Sequence, residues 1–142
     1  MSEDDLALFL DSFDRCINEE RFLDVFYDSF LGSSPEVAAM FSGTDFPKQK
    51  RHLKASLFIM VGAIARRKAD YSDLEGLSTR HRQMQIQPHH YELWLKSLLH
   101  AAESFTGRFD PRMERVWTEA MESGIRYISR GGAHGGPEGH PA

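Results

Sequence analysis

Leu77-Ser78-Thr79-Arg80-His81-Arg82-Gln83-Met84-Gln85-Ile86-Gln87-Pro88-His89-His90-Tyr91 is the stretch on which the reading of this chain turns. It predicts a short helix with His81 near its end and a long helix restarting at Pro88, since proline suits the first turn of a helix and not its interior. The arrangement offers one imidazole to a metal from a helical scaffold. A histidine has many other uses, and a solvated His81 between Arg80 and Arg82 would read the same way. The rest of the chain decides between these.

Working outward, Ser2 followed by Asp5 predicts a helix start, and Leu6, Phe9, Leu10, Phe13 and Ile17 recur at helical spacing. After the polar Asn18-Glu19-Glu20-Arg21, the residues Phe22, Val25, Phe26, Phe30 and Leu31 continue the pattern until Gly32. Ser34 before Pro35 predicts an N-cap and a short helix ending at Met40-Phe41, with a corner at Gly43-Thr44-Asp45. From Pro47 to about Lys68, Leu53, Leu57, Met60, Val61 and Ile64 trace one face of a long helix. Leu95, Leu98, Leu99, Ala102 and Phe105 follow Pro88, and Met113, Val116, Trp117, Ala120, Met121, Ile125 and Ile128 follow the Asp110-Pro111 break. No run alternates as a strand does, so the expectation is an all-α domain of about seven helices over residues 1–130. Residues 131–142, rich in Gly, Pro and His, bury too little to offset their ordering entropy and are expected to be a flexible tail.

Composition narrows the partners. The 142 residues are 41% hydrophobic with ten Phe and six Met, enough for one real core. A net charge of −4 with scattered basic residues argues against nucleic acid. No apolar run approaches the length of about 20 that crosses a bilayer, and the acidic Met1-Ser2-Glu3-Asp4-Asp5 lacks a signal peptide's cationic start, so a cytoplasmic location is expected. The single Cys16 excludes an internal disulfide and reads as a packed or half-exposed thiol.

Val25-Phe26-Tyr27-Asp28-Ser29-Phe30-Leu31, then Pro35-Glu36-Val37 and Met40-Phe41, then Gln49 and Leu53, and finally Arg80-His81 through Ile86-Gln87-Pro88 to Tyr91 together resemble the globin family. Within it the resemblance is to bacterial single-domain globins and the globin module of flavohaemoglobins, over nearly all of residues 5 to 129. It implies the globin fold, a three-on-three helical sandwich around a haem pocket, with haem b as cofactor. His81 would be the proximal ligand of the haem iron, its other ring nitrogen donating to a carbonyl near Leu77 or to Ser78. Phe41 would pack flat on the haem, although a plain core Phe reads identically. Tyr27 and Gln49 would form a distal polar pair, with Leu53 walling the pocket and Leu57, Leu77, Ile86, Tyr91 and Trp94 lining it further. Bound dioxygen carries partial negative charge, so a phenol donor there would stabilise it by about 1.5 to 3 kcal/mol. Tyr27 as a half-buried anchor between two helices is the alternative. Lys50, His52 and Lys54 are placed to meet a propionate, and a helix slide would bring His52 to the sixth iron position. His89 and His90 would have a surface role or touch a propionate.

Where flavohaemoglobins carry a glutamate in the last helix, this chain has Gly131-Gly132, so peroxidase chemistry is disfavoured. There is no sequence for a flavin or nicotinamide domain, and turnover would draw electrons from a separate reductase. The expectation is therefore a protein that reversibly binds oxygen, and also nitric oxide or carbon monoxide, for storage, delivery or scavenging, as a monomer or weak homodimer. The alternatives are a nitric oxide dioxygenase served by a separate reductase, with Tyr27 as the catalytic donor, and a gas sensor acting through a partner.

Overall fold

Short polar side chains start most of the helices. In the computed structural model, which describes residues 1–65 and 87–129, Ser2 Oγ accepts the Asp5 N–H at 3.0 Å, and Glu3, Asp4 and Asp5 place negative charge in the first turn of α1, Glu3–Ile17. Helix α2 is Phe22–Leu31, and α3 is Pro35–Met40, where Ser34 Oγ takes the Glu36 N–H at 3.1 Å and Pro35 opens the helix. Gly43, at φ 77°, makes a corner that residues with a side chain resist. Asp45 Oδ1 then accepts the Lys48 N–H, so α4 begins at Phe46, one residue earlier than the sequence predicts, and its described part runs to Ala65. Helix α5 is Pro88–Thr106, closed by Gly107 at φ 76°, and α6 is Pro111–Ser129, started by Asp110 Oδ1 on the Met113 N–H.

The described residues thus hold six helices and no strand. The short helix expected around His81, together with Leu77 and Ile86, and the expected tail at 131–142 lie outside them. Among the described helices none is long and apolar enough to cross a membrane.

Packing follows the apolar stripes. Helix α5 lies against α1, α2 and α6, while α4 meets α1 and α6. Phe9, Phe22, Phe26, Leu57, Leu98, Trp117 and Met121 are fully enclosed. Trp117 meets Phe9 edge-on at 5.2 Å, and its indole N–H donates to Ser12 Oγ at 2.9 Å, which in turn donates to the Phe9 carbonyl. At the other end of the α1–α6 contact, Asp5 receives Arg112 and Arg115 at 3.0 and 3.1 Å, and those two guanidinium groups hold its carboxyl below the usual carboxylate range. Gly124 lets α6 approach α4: a Cβ there would sit 2.2 Å from Met60 Cε. Cys16 is wholly buried with its thiol toward the Ala102 carbonyl, which resolves the packed-or-half-exposed question in favour of packed.

The Trp117–Ser12 link is the polar bond most deeply committed to the core. Replacing Ser12 by Ala strands a buried indole N–H, and urea unfolding should show a loss of about 1–3 kcal/mol.

Candidate functional site

Tyr27 is buried on α2, and Gln49 stands half-buried in the first turn of α4. Gln49 Nε2 donates to the Tyr27 hydroxyl oxygen at 3.2 Å. The oxygen is thereby used as an acceptor, while the phenol's own proton has no acceptor among the described residues. Burial pushes Tyr27 up to about 12, the Gln49 hydrogen bond opposing, so the group is a protonated donor at neutral pH. An ion pair between Lys50 Nζ and Asp24 Oδ1, one helical turn back on α2, joins the same two helices beside the Gln49–Tyr27 bond.

Aromatic rings surround this pair. Tyr27 meets Phe26 at 4.8 Å, Phe46 at 5.4 Å and Phe41 at 5.9 Å; Phe41 also meets Phe30, and Phe26 meets Trp94 at 5.8 Å. Phe41, Phe46, Leu53, Tyr91 and Trp94 remain only partly buried against the core. Apolar side chains left part-open around a buried phenol give a flat, largely apolar group a surface to cover, with the Tyr27 phenol as a hydrogen-bond donor beside it. Burial likewise pushes Tyr91 up to about 12. Leu57, one turn beyond Leu53, is enclosed in the core.

The remaining sequence-predicted positions fall elsewhere. Leu77, His81 and Ile86 lie outside the described residues. His52 is exposed, and so is Lys54. Lys50 is engaged with Asp24. His90 departs from the expected surface role: it is 5% exposed, and its Nε2 meets Glu36 Oε1 at 2.9 Å, with His89 Nε2 on the same oxygen at 3.1 Å. Those two imidazoles, His90 first, hold the Glu36 carboxyl below the ordinary carboxylate range. Phe46 and Asp24 were not singled out by sequence reading, and Glu36 entered only within the Pro35-Glu36-Val37 motif, with no site role. Phe46 had one signal, an aromatic set directly before the proline of a new helix; the other two pair across 26 and 53 or 54 residues, which periodicity does not register.

A family model described as Globin matches residues 24–127. Among solved structures, a protein from Pseudomonas aeruginosa PAO1, described as structurally highly homologous to a human hemoglobin, is similar at 32% identity with a TM-score of 0.80, over 89% of this chain and 97% of that one. No curated protein sequence matches the chain.

The buried phenol has a measurable signature. Between 10 and 12 the unfolded chain has released this proton and the folded protein keeps it, so its contribution to stability is complete below 10 and is lost as pH climbs through 12. The tyrosinate absorbance of Tyr27, taken as the difference between the protein and Tyr27→Phe, should accordingly rise near pH 12 and not near 10.

Proposed function

Because the chain belongs to the globin family, whose members generally bind haem, we propose that it binds haem b through His81 and reversibly takes up oxygen there. The observation that carries the reading is the Gln49–Tyr27 hydrogen bond set among half-open aromatic side chains. Haem, when bound, supplies an iron that takes a diatomic gas.

The chain's own residues supply the selectivity. Gln49 holds the phenol oxygen, which leaves the Tyr27 proton to donate to a ligand carrying partial negative charge. Neutral carbon monoxide gains far less from the same donor. With haem seated against Phe41, Phe46, Leu53 and Trp94, these apolar side chains would wall the ligand from water, so the hydrogen bond from Tyr27 would act in a low dielectric. The Tyr27 phenol is protonated at physiological pH even at its ordinary value, and burial pushes it further up.

Nitric oxide dioxygenation to nitrate, with electrons from a separate reductase, is the second reading. It uses the same donor, and it is favoured by the exposed Lys48, Arg51 and Lys54 on α4, whose described part has no Asp or Glu, which suit an acidic electron donor. Rapid nitric oxide consumption at catalytic protein levels with an added reductase separates the two.

Tyr27→Phe should speed oxygen dissociation by about tenfold or more in flash photolysis or stopped flow, since a hydrogen bond of about 1.5 kcal/mol is lost. An unchanged rate removes Tyr27 from the ligand. His81→Ala should abolish haem retention, read as loss of the Soret band after purification or reconstitution, and normal incorporation overturns the proximal assignment.

A further inference from the structure

Glu36, His89 and His90 converge without any part in the Tyr27–Gln49 pair. Glu36 comes from α3 and the two histidines from the first turn of α5, and both Nε2 atoms meet the same Glu36 oxygen, at 3.1 and 2.9 Å. All three potential ligand atoms lie within 4.8 Å of one another. Successive residues of a helix project about 100° apart, yet these two rings have bent together to a centroid distance of 4.1 Å. His89 is largely exposed, and an exposed ion pair alone returns little for holding a side chain so.

We propose that Glu36, His89 and His90 form a binding site for a divalent transition-metal ion of the zinc type, with water completing its coordination. Two imidazole nitrogens and one carboxylate oxygen are a donor set of zinc centres that keep an open position. Tetrahedral ligands at about 2.0–2.1 Å from a metal lie about 3.3 Å from each other, so the spacing from Glu36 to each histidine needs only a small expansion. The scaffold beneath is fixed: His90 is buried, and the Glu36 backbone N–H is held by Ser34 Oγ at 3.1 Å. Exposed Glu36 and His89 leave the ion a path in.

One bond must change on loading. His90 Nδ1 accepts the Gln87 backbone N–H at 3.0 Å, so in the metal-free protein the neutral ring carries its proton on Nε2 and gives it to Glu36. A metal at Nε2 takes that proton's place; the proton leaves to solvent, Nδ1 takes one up, the ring stays neutral, and the Gln87 N–H must turn away from His90 Nδ1, now a donor itself. Metal loading is therefore linked to the residue that immediately precedes α5.

The site is tested on the full chain by equilibrium dialysis against zinc chloride with the bound metal counted. The wild type should hold one equivalent more than Glu36→Gln/His89→Ala, or hold it at least tenfold more tightly. Both replaced side chains are exposed, and circular dichroism checks that the variant remains helical. A His134→Ala/His140→Ala variant should keep the equivalent. Equal zinc in the wild type and the Glu36/His89 variant, or loss of the equivalent with the His134/His140 variant, overturns the proposal.

Discussion

A phenol oxygen removed from water needs a partner, and Tyr27 receives one from a different helix. That requirement ties the orientation of α2 to the first turn of α4, and the corner between α3 and α4 follows from it. Gly43 turns the chain at a positive φ, Asp45 caps the new helix, and Gln49 arrives beside Tyr27 one turn later. The Lys50–Asp24 pair acts on the same two helices, at the edge where water still reaches. Being partly exposed, it contributes little to stability.

The far side of the molecule is held by a different kind of contact. There α1 meets α6 through Trp117, Ser12 and Phe9 in the dry core and through Asp5, Arg112 and Arg115 nearer the surface. Those bonds leave little freedom to the pair α1–α6, whereas the side chains around Tyr27 remain part-open. The buried phenol and the part-open rings beside it thus belong to a scaffold that hydrogen bonds and ion pairs tie together elsewhere, as a binding site requires.

Local chemistry was legible in the sequence and distant pairing was not. Ser2, Ser34 and Pro35 announce helix starts because a cap is settled within three residues. The α4 start moved by one residue because Asp45, placed in the corner, also serves as the cap. Tyr27 and Gln49 came from their positions within a family pattern, and geometry adds which atom donates to which. Phe46 escaped notice because an aromatic residue at a helix start carries no periodic mark. Glu36 with His89 and His90 escaped for a different reason: the group forms only once α3 and α5 are adjacent, and on sequence alone the histidines were assigned a surface role or a propionate contact. His81, the residue on which the sequence reading turned, lies outside the described residues.

The burial of Cys16 bears on how this chain behaves as a chemical object. Its sulfur has no exposure, and desolvation lifts the thiol to about 12, so the nucleophilic thiolate is nearly absent at neutral pH. Since the sequence has no other cysteine, thiol-directed oxidants and nitrosating species find no thiolate while α1 stays seated on α5. A thiol-reactive dye would therefore mark only molecules in which that seat has opened, and the rate of labelling becomes a clock for the opening itself.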